Sequence, residues 1–416
     1  MPQFPSLRRR AVLQSAVIGA AWLSSNRLAS AFESSTIEDL KSWLAKPAKD
    51  RPALIEQPFA RSPLSKEESA VAAKLLWEDF VANASADRKE EWAGRVIKAA
   101  KQEMKFDVKV FGEKPEGGRS MFISMHGGGG APARVNDQQW ENQKRLYKPD
   151  EGVYIAPRAP TNTWNLWHEG HIDPLFERLI TGAVLFEDVN PDRVYLMGYS
   201  AGGDGVYQVA PRLADRFAAA SMMAGHPNES TPLSLRNLPF CIHCGANDKA
   251  YDRNKVCEAW GKQLDELEKA DPEGYKHYWK MHEGKGHWMD RQDAEALPWM
   301  VKFTRDTAPK KIVWRQDDVV HASFYWLAMA EAARKGGAEV KATIKGNTIE
   351  VESAEPSSIT IRLDDRLVNL DEPVIVRVKD KVEFEGKLTR TIATLAKTLA
   401  EREDPKLMFA TERCLC

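Results

Sequence analysis

Residues 194–205 read VYLMGYSAGGDG, which predicts a buried strand, a sharp turn and a helix in immediate succession. The turn has the pattern Gly-x-Ser-x-Gly, which holds a serine at the carboxyl edge of a sheet on a strained backbone. Gly198 and Gly202 are needed because side chains there would clash with the neighbouring strand and helix. The N-terminus of the helix directs partial positive charge towards a developing oxyanion. The stretch therefore predicts that Ser200 is a nucleophile.

A second glycine-rich segment precedes this one by about 70 residues. The strand predicted at 121–125 runs directly into His126 and four glycines. Consecutive glycines let backbone N–H groups approach a substrate oxygen closely, so the segment predicts an oxyanion loop. The second donor would be the N–H that follows the nucleophile. The predicted oxyanion donors are Gly127, Gly128, Gly129 and Ala201.

A nucleophilic serine needs a base, and the base needs an acid that orients it. Asp248 follows the strand predicted at 240–244, and Asp252, four residues later, is its rival. His287 lies on a glycine-containing loop after the strand predicted at 275–281, whereas the rival His282 would still be on the strand. The predicted triad is therefore Ser200, Asp248 and His287.

The surrounding sequence alternates short apolar runs with helical stretches, which is typical of a parallel sheet with crossover helices. We expect a mostly parallel sheet with helices on both faces. The predicted strands are 121–125, 153–156, 194–198 and 240–244, and the predicted helices are 175–185 and 205–217.

Residues 105–308, about half of the chain, resemble the α/β-hydrolase superfamily. The resemblance is carried by the order Ser200, Asp248, His287, by the glycine loop and by the sequence TWNLW at 163–167. The similarity is to the serine-esterase branch that includes dienelactone-hydrolase-like, polyhydroxybutyrate-depolymerase-like and feruloyl-esterase-like enzymes, although dienelactone hydrolases proper use Cys where this chain has Ser200. It implies hydrolysis of a small-molecule or polysaccharide-linked carboxylic ester through an acyl-enzyme, with no cofactor.

Several other side chains are candidates for substrate contact, because aromatic faces suit sugar rings or aromatic acyl groups. The metalloprotease spacing H-E-x-x-H is absent, so we predict no metal site. Cys241 and Cys244 lie in a predicted strand, where they would point to opposite faces, so we expect buried thiols and no redox motif. The substrate-contact candidates are His126, Trp164, Trp167, Tyr199, His226 and Trp288.

The first 31 residues carry four arginines and no acidic residue. An apolar stretch at 11–23 and the small residues Ala-Ser-Ala at 29–31 predict an export signal with a cleavage site. Arg9 and Arg10 resemble a twin-arginine signal, with an ordinary Sec signal as the alternative. We therefore expect a periplasmic or extracellular protein.

The chain has 59 basic and 60 acidic residues, and without the predicted signal its charge is about −5. No basic excess is available to neutralise phosphates, which argues against a nucleic-acid partner. Outside the signal we find no apolar run of about 20 residues, so we expect no membrane span. The oligomeric state is open.

Two further regions flank the hydrolase-like part. We expect an export signal at 1–31, a helical extension at 32–103, a catalytic domain at 104–308, and a small β-rich domain at 309–416. Ser65 and Glu68 predict a capping box at the start of a helix. The last region shows period-two alternation in five runs and a closing helix at 391–401. The predicted strands there are 340–344, 348–352, 359–363, 374–378 and 382–384.

Two other functions are compatible with this sequence. The same triad cleaves amides in serine peptidases of the prolyl-oligopeptidase type, but that family normally carries a propeller, and no blade repeat is present. A non-catalytic envelope binding protein on a hydrolase fold would be expected to lack a member of the triad. All three residue types are present here.

Overall fold

The computed structural model describes residues 35–353 and 358–415. The predicted export signal lies outside the described residues. Among the described residues, no helix is long and apolar enough to cross a lipid bilayer.

An eight-stranded sheet forms the centre of the molecule, in the order β1-β2-β4-β3-β5-β6-β7-β8. The pairs β1/β2 and β2/β4 are antiparallel, and all other neighbours in the sheet are parallel. The strands are β1 (Val96–Ala99), β2 (Gln102–Phe111), β3 (Arg119–Met125), β4 (Gly152–Pro157), β5 (Val189–Tyr199), β6 (Ala219–Met223), β7 (Phe240–Gly245) and β8 (His277–His282).

Helices cover both faces of this sheet. The helices are α1 (Ser35–Leu44), α2 (Lys66–Ala93), α3 (Ala133–Gln143), α4 (Ile172–Phe186), α5 (Ala201–Arg212), α6 (Arg253–Ala270), α7 (Ala296–Met300) and α8 (Ile392–Arg402). Apolar side chains of α4, α5 and α6 pack on one face, while those of α7 and Trp140 of α3 pack on the other. Strands buried on both faces read as continuous apolar runs, which is why β3 and β5 could be predicted from the sequence.

The predicted architecture, a mostly parallel sheet with helices on both faces and a β-rich C-terminal region, is confirmed. The capping box is present as predicted: the Ser65 hydroxyl accepts from the Glu68 N–H, and the Glu68 carboxylate accepts from the Ser65 N–H. The helix predicted at 205–217 instead spans Ala201–Arg212, because it begins directly after the turn at Ser200.

Two details of the main sheet differ from the sequence-based expectations. The range 32–103, expected to be helical, also contains β1 and the first residues of β2, which pair as a hairpin at the edge of the sheet. The strand β6, sequence AASMM, was not predicted, since it has no β-branched or aromatic residue. Pairing with β5 and β7 on either side determines its conformation.

Two smaller sheets are built from residues 311–415. One has the order β10-β11-β14-β17 and the other β16-β15-β13-β12-β9. The strands are β9 (Lys311–Arg315), β10 (Ser323–Phe324), β11 (Leu327–Met329), β12 (Glu339–Lys345), β13 (Thr348–Ser353), β14 (Ile359–Leu363), β15 (Val374–Val378), β16 (Lys381–Gly386) and β17 (Thr411–Leu415). The five strands predicted in this region correspond to β12 to β16. The helix predicted at 391–401 corresponds to α8. The strands β9, β10, β11 and β17 were not predicted from the sequence.

A buried ionic network joins this C-terminal region to the main sheet. The Asp404 carboxylate accepts from Arg216 and from Arg305, each at 2.7 Å. Arg402 contacts Asp215 at 2.9 Å. Burial alone would raise the pKa of Asp404, but the two arginines hold it below its ordinary value. The charges stabilise one another only while the two regions stay together.

Candidate active site

Ser200 lies at the turn between β5 and α5, with a backbone φ of 58°. A Cβ placed on Gly198 would lie 2.2 Å from the Gly202 carbonyl oxygen, and one on Gly202 would lie 2.1 Å from the Met125 carbonyl oxygen. Both contacts are with backbone atoms, which cannot rotate away. The two glycines therefore allow the tight strand-to-helix turn that exposes the serine hydroxyl.

His287 lies between Ser200 and Asp248. Its Nε2 is 2.9 Å from the Ser200 Oγ, and its Nδ1 is 2.7 Å from the Asp248 Oδ2. A carboxylate only accepts hydrogen bonds, so the proton resides on Nδ1 and Nε2 is free to accept from the hydroxyl. The Asp248 side chain is buried, while the His287 ring is partly open to solvent. This arrangement can transfer a proton from the serine to the imidazole.

The two rivals are placed elsewhere. Asp252 is exposed before α6 and pairs with Lys255 at 2.8 Å. His282 is buried as the last residue of β8, and its Nε2 lies 3.1 Å from the His243 Nδ1. Of the predicted acids and bases, the structure thus brings together Ser200, Asp248 and His287.

Contacts between the loops hold the Asp248 and His287 side chains in position. The Asn247 N–H donates to the Lys285 carbonyl at 2.8 Å. The Tyr199 hydroxyl donates to the His287 carbonyl at 2.7 Å and accepts from the Met289 N–H at 3.1 Å. Burial raises the pKa of the Tyr199 hydroxyl, so it stays neutral and can donate. Tyr199, a candidate for substrate contact from the sequence, instead fixes the loop that carries His287.

The glycine loop lies beside the serine. A Cβ on Gly127 would lie 3.1 Å from the Ser200 Cβ, so this backbone passes directly next to the nucleophile. Gly128 has a φ of 105° and Gly129 one of 82°, conformations that glycine adopts readily. The loop can therefore bring backbone N–H groups close to the serine.

One of the four predicted donors is excluded. The Gly129 N–H donates to the Asn136 Oδ1 at 2.8 Å, so it is already used. The Asn136 side-chain amide in turn donates to the Ala131 carbonyl at 3.1 Å and to the Asn162 side chain at 2.9 Å. Asn136 thus anchors the loop, a role that its sequence position on α3 did not signal. Gly127, Gly128 and Ala201 remain candidates.

His126 and Trp167 are buried and are not available to a ligand, contrary to the sequence-based expectation. The His126 Nδ1 donates to the Gly127 carbonyl at 2.6 Å, and its Nε2 accepts from the Ala159 N–H at 3.1 Å. The Trp167 indole N–H donates to the His126 carbonyl at 2.9 Å. Burial lowers the pKa of His126 to about 4, so the ring is neutral, as these two bonds require. His126 and Trp167 therefore stabilise the backbone of the glycine loop from its buried side.

Trp164 and Trp288 are exposed aromatic residues, one next to the glycine loop and the other directly after His287. Trp164 is 64% exposed and packs near Gly130 of the glycine loop. Trp288 is 50% exposed, follows His287 directly, and has its ring centroid 5.6 Å from that of Tyr199. These two tryptophans therefore have solvent-exposed rings, one next to the glycine loop and the other next to His287.

His226 lies near the first turn of α5. Its N–H donates to the Asp204 Oδ1 at 2.6 Å, and its Nδ1 accepts from the Asn228 N–H at 2.9 Å. The accepting Nδ1 leaves the proton on Nε2. Burial raises the pKa of Asp204 to about 6 despite this bond. The structure therefore places His226 as a partly exposed donor whose ring orientation is set by the loop.

Comparisons with known proteins give a likeness of structure only. No protein-family model matches the chain, and no curated protein matches it. Among solved structures, a thermostable esterase is 18% identical over 50% of this chain, with a TM-score of 0.38. The enterobactin esterase of Shigella flexneri is 13% identical over 50% of this chain, with a TM-score of 0.37.

A feruloyl esterase module from Clostridium thermocellum is 15% identical over 49% of this chain and 83% of its own, with a TM-score of 0.36. The aligned part spans 62% of the thermostable esterase and 57% of the enterobactin esterase, less than two thirds of either. Similarity at this level carries no information about substrate, and the function has to be argued from the geometry of the site.

Proposed function

We propose that this chain is a serine hydrolase that cleaves carboxylic esters through an acyl-enzyme on Ser200. The observation that carries the proposal is the His287 imidazole, which lies 2.9 Å from the serine hydroxyl and 2.7 Å from a buried carboxylate. An imidazole in this position can act as the base that activates a serine hydroxyl.

In the proposed reaction, His287 takes the proton of Ser200 as the oxygen attacks the ester carbonyl. Asp248 keeps the imidazole in the required tautomer and stabilises its charged form. The imidazolium then protonates the leaving alcohol. In the second half, the same imidazole activates a water molecule that releases the acid and regenerates the serine. No further reagent is required.

The tetrahedral intermediate carries a negative oxygen. We propose that the Ala201 N–H at the start of α5 and an N–H of Gly127 or Gly128 bind it. The first N–H groups of a helix have no partner within the helix, and the helix dipole adds partial positive charge there. Loss of one such donor costs about 2.7–4 kcal/mol of transition-state stabilisation in other enzymes.

The exposed faces of Trp164 and Trp288 support an ester that carries a flat ring, in a small molecule or linked to a polysaccharide. A panel of short aliphatic, aromatic, acetylated-xylan and peptide substrates tests this part. Faster turnover of peptides than of every ester would replace the esterase proposal with a peptidase.

The decisive experiment on the activity is Ser200→Ala with a p-nitrophenyl ester and a fluorophosphonate probe. We expect at least a 10⁴-fold loss of kcat and no labelling, because the nucleophile is gone. Ser230→Ala is the control, since the buried Ser230 hydroxyl has no hydrogen-bond partner among the described residues. An unlabelled parent chain would favour a non-catalytic binding protein.

We also propose that the chain is exported. The support is the arginine-rich, acid-free segment 1–31 with its apolar stretch and small-residue site. The double change of Arg9 and Arg10 to Lys should leave the precursor in the cytoplasm if the twin-arginine route is used, as measured by cell fractionation. Unchanged export would indicate the Sec route, and a cytoplasmic parent chain would refute export.

A further inference from the structure

The side chains of two histidines and one glutamate lie close together at β7 and β8, the strands that precede the loops carrying Asp248 and His287. His243 lies on β7, His282 is the last residue of β8, and Glu295 directly precedes α7. Both imidazoles are buried, whereas the Glu295 side chain is 37% exposed. The two imidazole rings therefore form the buried part of the cluster, and the Glu295 carboxylate forms its solvent-exposed side.

The three ligand atoms have the spacing of a small coordination sphere. The His243 Nδ1 is 3.1 Å from the His282 Nε2 and 3.6 Å from the Glu295 Oε1, and all three atoms lie within 4.8 Å of one another. Zinc ligands at about 2.0–2.1 Å in a tetrahedron are about 3.3 Å apart. The two distances from the His243 Nδ1, 3.1 Å and 3.6 Å, lie on either side of this ligand–ligand separation. The Glu295 carboxylate therefore needs only a modest movement to complete a tetrahedral zinc site.

Each imidazole also has a partner on its other nitrogen. The His243 Nε2 is 3.0 Å from the Cys241 Sγ, and the His282 Nδ1 is 3.3 Å from the Gln292 Oε1. An amide oxygen accepts, so the His282 proton lies on Nδ1 and its Nε2 lone pair points into the cluster. Outer partners of this kind orient metal-binding histidines.

We propose that His243, His282 and Glu295 bind one Zn²⁺, with water as the fourth ligand. Two imidazoles and one carboxylate form a ligand set that zinc accepts. The Lys280 ammonium lies 2.8 Å from the Glu295 Oε1, and its side chain is 42% exposed, so it can move into solvent as the cation binds. The ion would join β7 to β8, the strands that precede the Asp248 and His287 loops, and would stabilise the fold.

Calorimetric titration of the metal-stripped full chain with Zn²⁺ tests the proposal, together with Tm measured with and without the ion. We expect one Zn²⁺ per chain and a higher Tm when it is bound. Glu295→Gln, at a partly exposed position, should weaken Zn²⁺ binding at least tenfold. Lys280→Ala should bind at least as tightly as the unaltered chain, because the competing ammonium is removed.

Glu283→Gln is the matched control, since it makes the same charge change at an exposed position one residue after His282. It should bind Zn²⁺ like the unaltered chain. Absence of stoichiometric binding, an equal effect of the two glutamine variants, or weaker binding by Lys280→Ala would overturn the proposal. The cluster would then be a hydrogen-bonded histidine pair in which His243 donates to His282. Neither readout depends on the esterase activity.

Discussion

At the scale of single residues, the proposed chemistry depends on which acid and which base the fold brings to Ser200. Asp248 and Asp252 are four positions apart, yet only Asp248 contacts His287. Asp252 adopts a left-handed conformation with φ of 53° at the start of α6 and faces solvent. The choice between them depends on local backbone geometry rather than on residue type.

Asp248→Asn tests this assignment. We expect kcat for a p-nitrophenyl ester to fall about 10⁴-fold, because an amide at this position favours the wrong imidazole tautomer. Asp252→Asn makes the same chemical change on the exposed rival and should leave kcat unchanged. An equal loss in both variants would refute the role of Asp248.

Asp204 predicts a pH dependence of stability. Burial raises its pKa from 3.8 to about 6, although the His226 N–H, Arg253 and His287 all favour the ionised form. A carboxyl with a raised folded-state pKa binds more protons when folded, so stability falls as the pH rises from about 4 to about 6. The full effect is up to roughly 3 kcal/mol.

Asp204→Asn removes this titration and keeps an oxygen that can accept from the His226 N–H. We expect the free energy of unfolding of the variant, relative to the parent, to increase between pH 4 and pH 7. Urea denaturation at both pH values measures the difference. A constant difference across this range would show that Asp204 does not titrate as proposed.

At the scale of elements, the end of β5 and the loop after β8 are coupled through one hydroxyl. The Tyr199 side chain joins the strand that carries the nucleophile to the loop that carries the base. Its aromatic character agrees with the apolar strand pattern, but its two hydrogen-bond partners lie 88 and 90 positions away along the chain. A contact of this kind is invisible in a local sequence pattern.

Tyr199→Phe should lower kcat ten- to a hundredfold, because the His287 carbonyl and the Met289 N–H lose their partner and the imidazole moves. KM should change less than kcat. Tyr195→Phe is the matched control. It removes a hydroxyl on the same strand, and this hydroxyl donates to the Phe303 carbonyl at 2.9 Å. Equal losses of kcat in both variants would indicate a general effect on β5.

At the scale of the whole molecule, residues 311–415 contact the region of the main sheet through buried ion pairs and hydrogen bonds. Buried Arg216 and Arg305, from the region of the main sheet, bind Asp404, and Tyr325 in the turn before β11 donates its N–H to the Asp215 carboxylate at 2.9 Å. We propose that this region is not a detachable module, although the sequence predicted a separate small domain at 309–416.

Asp404→Ala should destabilise the protein by about 3–5 kcal/mol, since it leaves Arg216 and Arg305 buried without a shared carboxylate. Thermal and urea unfolding measure the loss. Glu38→Ala, which removes an exposed pair with Lys41, should have an effect below about 1 kcal/mol. A small effect at Asp404 would show that its bonds to Arg216 and Arg305 contribute little to the attachment of the C-terminal region.

The sequence by itself determined the parts of this protein whose constraints are local. The elbow at Ser200 needs glycines at 198 and 202, and apolar runs reveal buried strands such as β3, β5 and β7. The order of Ser200, Asp248 and His287 was readable because each follows a recognisable strand.

Tertiary structure alone decided which side chains and backbone N–H groups are available to contact a ligand. It buried His126 and Trp167, used the Gly129 N–H for Asn136, and brought His243, His282 and Glu295 together from three elements. It also produced β6, whose residues lack strand propensity. These features depend on packing and hydrogen bonds between segments that are far apart in the sequence. A local sequence pattern does not show which of these segments lie close together in space.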